Sequence, residues 1–233
     1  MQALDGIDKL CALQNSPTAL LPKMPSPLLM INHLSCQRGD KQLFADISFA
    51  VSEQQCWHVI GANGSGKTSL LRQIAGLVEL DRSVAEQSIH WSNVATPDSA
   101  NRFAFLGHTD GLKPELTALE NLTFYAHYSR APRSIDLDQI LFDVGLLNCA
   151  DLAVKHMSFG QRRRLSLARV LITNAKVWLL DEPLTGIDAS GRELFIELFL
   201  QHLASGGAII LTHHQLLTDS PLSSNLHELR LGS

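Results

Sequence analysis

The chain has 233 residues, 45% of them hydrophobic and 18% charged, with 19 basic side chains against 23 acidic ones. That composition supports a single domain with a sizeable buried core and excludes a disordered tail. A formal net charge of −4 leaves no basic surplus for nucleic-acid phosphates, and no apolar run approaches the roughly 18 residues that cross a bilayer.

Residues 1–27 carry Pro17, Pro22, Pro25 and Pro27 without sustained periodicity and are read as a flexible lead-in, with Met24 an alternative start. The opening from Met1 to Asp8 is acidic, unlike a secretion signal. Apolar runs from Leu28 to Leu34 and from Gln42 to Val51 flank Arg38-Gly39-Asp40 and predict a hairpin. Cys56 to Ile60 predicts a short strand, followed by a glycine-rich turn and a helix from Lys67 to Ala75 that stops at Gly76. The stretch from His108 to Arg164 is helical in pattern, broken by Pro114 and by Ala131-Pro132-Arg133, and is expected to be an inserted helical subdomain. Beyond it the pattern predicts a helix from Leu165 to Thr173, a strand from Lys176 to Leu180, a helix from Arg192 to Leu203 and a strand from Ala208 to Thr212. A closing strand is expected around Leu229-Arg-Leu231. Alternating strands and helices predict an α/β fold with a parallel sheet covered on its faces. The four cysteines form no CxxC, so the residues suggest plain thiols in a reducing compartment and neither a zinc site nor a redox motif.

The chemistry concentrates first at Gly61-Ala62-Asn63-Gly64-Ser65-Gly66-Lys67-Thr68, a complete GxxxxGK[ST] P-loop between the predicted strand and helix. Its glycines let successive N–H groups and the helix N-terminus face phosphates, which favours an anion there. Lys67 is expected to reach the β- and γ-phosphates of a nucleotide, Thr68 to hold Mg2+, and Ser69 to line the same turn. A metal-side carboxylate is expected at a strand end, and Val177-Trp-Leu-Leu-Asp181-Glu182 supplies Asp181, with Glu182 placed to deprotonate an attacking water.

Met157-Ser158-Phe159-Gly160-Gln161, followed by Arg162-Arg163-Arg164, is similar to the LSGGQ signature of ATP-binding cassette (ABC) proteins; alone, such a basic run more often marks a solvated helix face. With the P-loop, the Asp181-Glu182 pair, Gly186-Ile187-Asp188 in the place of the D-loop and Thr212-His213-His214 in that of the switch-histidine loop, residues 28–233 resemble that family throughout. The resemblance implies a P-loop NTPase of ABC ATPase type, with a RecA-like core, an N-terminal antiparallel β-subdomain and a helical subdomain over about residues 108–164. It also implies that Ser158, Gly160 and Gln161 face the nucleotide held by the P-loop of a second copy, in a homodimer of cassettes. Arg38 stands where the family has an adenine-stacking aromatic, with Phe44 and Cys36 as alternatives. His108 stands where the family has a glutamine, its metal role open, and family register favours His214 over His213 as the γ-phosphate histidine.

Leu106-Gly-His108, Gly111-Leu-Lys113, the run Leu116 to Leu122, Phe159-Gly-Gln-Arg-Arg163 and Ile210 to Gln215 are similar to the ATP-binding subunits of bacterial cytochrome c maturation systems. That resemblance implies a peripheral ATPase on the cytoplasmic face of the bacterial inner membrane. Its implied partners are a membrane-spanning ABC subunit, a haem-handling membrane protein and a haem chaperone, with ATP hydrolysis driving haem export or release of the loaded chaperone. An ABC subunit for another small solute is the alternative. A translation or DNA-repair cassette is disfavoured by the single P-loop and the lack of a coiled-coil insertion, and a non-hydrolysing regulator by the intact Lys67 and Glu182.

Overall fold

The structure, a computed structural model, describes residues 27–80, 84, 86–92, 102–129, 131–132, 134–214, 217 and 219–232. The expected lead-in, apart from Pro27, lies outside the described residues, as do Arg133 and Gln215.

Strands β1 (Leu29–Arg38) and β2 (Lys41–Val51) form the expected hairpin, antiparallel with Arg38 opposite Lys41 and Gly39 at φ +60 in the turn. The first strand runs past Leu34, through register shifts on either side of Leu34 and beside Cys36. β1 also pairs with a strand the sequence did not reveal, β4 (Ser88–Trp91), giving the order β2-β1-β4. Ser88-Ile-His-Trp91 alternates polar and apolar residues, with Ile89 and Trp91 packed partly buried against the core, but over four residues only, too short a run to stand out from the sequence.

The second sheet consists of β3 (Cys56–Ile60), β5 (Phe103–Leu106), β6 (Val177–Asp181), β7 (Ala208–Thr212) and β8 (Leu226–Arg230) in the order β5-β6-β7-β3-β8, every pair parallel. β6 and β7 are central and buried along their whole length, which is why both read as unbroken apolar runs. Their side chains divide the core by alternation. Val177, Leu179, Ala208 and Ile210 pack with the antiparallel sheet and helix α1 (Lys67–Ile74). Trp178, Leu180, Ile209 and Leu211 pack toward the larger helices.

Those helices are α2 (Ala118–Tyr128), α3 (Leu137–Asp143), α4 (Phe159–Ile172) and α5 (Ala189–Ala204). The helix expected from Leu165 begins instead at Phe159 and runs unbroken to Ile172. The cause is a capping box: Ser158 Oγ accepts from the Gln161 N–H at 3.2 Å while Gln161 Oε1 accepts from the Ser158 N–H at 2.8 Å. α5 likewise begins three residues earlier than expected because Asp188 caps it, accepting from the Gly191 N–H at 2.9 Å.

Candidate functional site

The parallel strands β3, β6 and β7 end side by side, and the turns leaving them carry the candidate residues. From β3 the chain enters Gly61 to Gly66 and then α1. Two glycines there are dictated by crowding. A Cβ at Gly61 would stand 2.6 Å from the Leu231 carbonyl, and one at Gly66, itself at φ +100, would stand 2.9 Å from the Phe44 ring. Lys67 is buried and curls back over its own loop, donating from Nζ to the Gly61 carbonyl at 2.8 Å and the Ala62 carbonyl at 3.1 Å. Ala62, Asn63 and Gly64 stay exposed around this cradle, Ser69 is half-buried in the first turn of α1, and Ser65 Oγ is buried without a partner among the described residues.

At the end of β6, Asp181 Oδ1 accepts from Thr68 Oγ1 at 3.1 Å and from Thr212 Oγ1 at 2.8 Å. Its other oxygen, Oδ2, is buried with no partner among the described residues. A carboxylate oxygen left without a donor beside a threonine hydroxyl is the all-oxygen chemistry a small hard cation takes, so this pair fits Mg2+. The Thr212 hydroxyl that donates to Asp181 also accepts the Glu182 N–H at 2.9 Å, tying β7 to the turn after β6.

Glu182 sits at φ +51, a left-handed conformation a glutamate adopts at an energetic cost. Its Oε1 lies 2.7 Å from His214 Nε2, and its Oε2 accepts from Thr185 Oγ1 at 3.3 Å. The two histidines of the 213–214 pair therefore have opposite surroundings. The His214 side chain is 45% exposed and meets Glu182. His213 is buried, neither ring nitrogen has a partner among the described residues, and burial, reinforced by the Arg192 charge, pulls its pKa down to about 4. The buried His58 ring approaches the His213 carbonyl through Nε2 at 3.1 Å.

The signature residues stand apart, around the N-terminus of α4. Ser158, Gly160 and Gln161 share a cleft of about 430 Å³ with Gly145, Gly186 and Asp188. A Cβ at Gly160 would meet nothing within 4 Å, so the backbone there is open to an approaching group. The exposed Phe159 ring covers Gly186, and Arg164 Nη2 reaches Asp188 Oδ1 at 3.2 Å.

Thr68, Asp181, Glu182 and His214 are thus brought together, and the signature trio forms a second, separate surface. Arg38 is exposed at the hairpin turn, whereas its alternatives Cys36 and Phe44 are buried opposite one another in the β1–β2 register. His108 is exposed just after β5. Two contributors escaped the sequence reading. Thr212 was placed only within a motif, although a hydroxyl ending a buried strand is a polar group that needs partners. Arg163 was read within a solvated basic run; it is 3% exposed, and burial lowers its pKa against the opposing pull of Asp110, Asp181 and Glu182. The available signal was its helical spacing, four residues before Leu167 and seven before Val170, which puts it on their face of the helix.

Residues 44–185 match the family model described as ABC transporter. The chain is 40% identical over 210 residues to "Cytochrome c biogenesis ATP-binding export protein CcmA" of Yersinia pseudotuberculosis, covering 88% of this chain and 94% of that one. It is also 40% identical to the protein of that name in Haemophilus influenzae, covering 88% and 95%. Among solved structures, an ABC transporter ATP-binding protein from Pyrococcus furiosus superposes with a TM-score of 0.72 at 22% identity, covering 87% of this chain and 96% of that one.

Proposed function

The chain belongs to the ABC transporter family as an ATP-binding, ATP-hydrolysing cassette, and from that premise we propose that it is the energy-coupling subunit of a membrane complex for c-type cytochrome biogenesis. The near-full-length similarity to the Yersinia and Haemophilus relatives carries this reading.

The residues support a division of labour in ATP hydrolysis. Gly61 to Ser69 cradle the phosphates through backbone N–H groups and the start of α1, and Lys67 exchanges its two loop carbonyls for phosphate oxygens. Thr68 and Asp181 would hold Mg2+, which neutralises phosphate charge when bound. Glu182 orients a water and accepts its proton at Oε1, the oxygen His214 already touches, and His214 extends from there toward the γ-phosphate. Arg38 lies against the base, and His108 contacts water or phosphate near the metal.

Ser158, Gly160 and Gln161 complete the site of a second copy, so that two cassettes bury two nucleotides between them. A helix N-terminus and one hydroxyl add modestly to anion affinity, about 0.3–1 kcal/mol for the helix dipole. This face therefore senses a γ-phosphate already gripped by the opposite P-loop. Residues 28–233 act as one cassette, held at the cytoplasmic face of the inner membrane by a membrane-spanning ABC subunit that meets the helical region; no helix among the described residues is long and apolar enough to cross a membrane itself. A haem-handling membrane protein and a haem chaperone complete the assembly.

The test is to purify the Glu182→Gln chain from bacterial membranes in mild detergent with ATP and Mg2+, identify what accompanies it and record a visible spectrum. Membrane and chaperone partners with a haem Soret band are expected. A different permease without haem would keep the ATPase and overturn the assignment to cytochrome c biogenesis.

A further inference from the structure

Between the signature turn and Glu182 lies a buried cation that neither surface presents outward. The Arg163 guanidinium, on the inward face of α4, donates to four main-chain carbonyls. Nη2 reaches Asp181 O at 2.7 Å and Glu182 O at 2.8 Å, Nε reaches Pro183 O at 3.4 Å, and Nη1 reaches Gly107 O at 3.0 Å. Asp110 Oδ1 stands 3.8 Å from Nη1 as a counter-charge. Three successive carbonyls of the turn after β6 are thus held by one planar fork, a geometry that the single ammonium of lysine cannot copy.

That turn needs holding. Left-handed backbone at a non-glycine residue persists where its surroundings over-determine it. At Glu182 the N–H is fixed by Thr212, and the carbonyl accepts from both Arg163 and the Thr185 N–H. Rotating this peptide would re-aim Oε1 away from His214. The same guanidinium grips Gly107, the residue before His108, and Ser166 Oγ, one turn further along α4, donates to the Asp110 carbonyl at 3.1 Å. α4, whose N-cap is Ser158, is therefore fastened both to the Glu182 turn and to the loop carrying His108.

We propose that Arg163 is a positioning residue for hydrolysis, which fixes the Glu182 peptide and joins it mechanically to the signature helix. Docking of a nucleotide at Ser158 and the aim of Glu182 then become one event. This rests on the reading of Glu182 as the base.

The full-length chain carrying Arg163→Lys tests it, measured for phosphate release and for binding of a fluorescent ATP analogue with Mg2+. A small misplacement of a catalytic group costs up to about 100-fold, so kcat should fall about 10- to 100-fold. KM and the Kd for nucleotide should stay within about twofold, the signature of a contact that matters in the transition state. Arg163→Gln, which keeps one carbonyl contact at best, should lose at least as much. Unchanged kcat in Arg163→Lys, or kcat and binding falling together in both variants, overturns the proposal; so does failure of both to bind nucleotide, which would make Arg163 a determinant of the fold alone. Glu182→Gln in the same assay separates the two readings. If it is inactive while Arg163→Lys is normal, only the positioning role falls; if it retains near-normal turnover, the base assignment falls and takes this proposal with it.

Discussion

At the ends of β3, β6 and β7, the candidate side chains are ionisable or hydroxylic and hold close partners: Lys67 on the carbonyls of its own loop, Thr68 and Thr212 on Asp181, His214 on Glu182. At the start of α4 the trio Ser158, Gly160 and Gln161 carries no charge. Ser158 and Gln161 are turned onto each other in a capping box, Gly160 is bare, and the charges lining the same cleft, Arg164 and Asp188, pair together. One surface carries the charge needed to bind a polyphosphate unaided, and the other offers chiefly a helix dipole and backbone. In this account the first binds and the second discriminates.

The largest expected effect lies wholly on the first surface. Glu182→Gln should lower turnover by about 10²- to 10⁴-fold, the worth of a positioned general base, while nucleotide titration shows binding intact. Lys67→Ala should instead weaken binding by about 10- to 100-fold, since a hydrogen bond to a charged group is worth about 1.5–3 kcal/mol; unchanged affinity by fluorescence titration would break the contrast at its stronger half. Ser158→Ala should sharpen it from the other side. ATP affinity of the single chain stays the same, turnover falls, and the melting temperature drops by a few degrees for a lost cap worth about 1 kcal/mol. A Ser158→Ala protein that binds ATP as weakly as Lys67→Ala would erase the distinction between the surfaces.

The last expectation concerns stability and pH, apart from turnover. Burial lowers the pKa of both His213 and His202 to about 4, the latter stacked on Trp178 at 3.8 Å. The unfolded chain takes up these protons near the ordinary histidine value of about 6.5 and the folded chain resists them. Their stabilising contribution is therefore complete above that value and is lost as pH falls from there toward 4. Thermal melts at descending pH should show the midpoint falling across this window, and His202→Gln should reduce the drop.

The two surfaces also differed in how far they could be read in advance. The P-loop, Asp181 and Glu182 are contiguous, chemically specific strings beside buried strands whose apolar runs are unmistakable, so element and chemistry coincide. Ser158 and Gln161 carried a capping signal as well, Ser-x-x-Gln, yet the basic run after it suggested a solvated face, and α4 was started six residues late. β4 left little trace because a four-residue edge strand, with His90 exposed and the other three residues only partly covered, is stabilised by its partner β1 more than by its own short pattern. Arg163 and Thr212 act through carbonyls and hydroxyls far away in the chain, the former because α4 lies against the turn after β6, the latter because β6 and β7 pair in parallel.

The central claim, that the second surface completes the site of another copy, is tested most directly by sedimentation of the Glu182→Gln chain with MgATP, with MgADP and with no nucleotide. A dimer with MgATP and a monomer in the other two are expected. A monomer at saturating MgATP, or a dimer whatever the nucleotide, would contradict that claim.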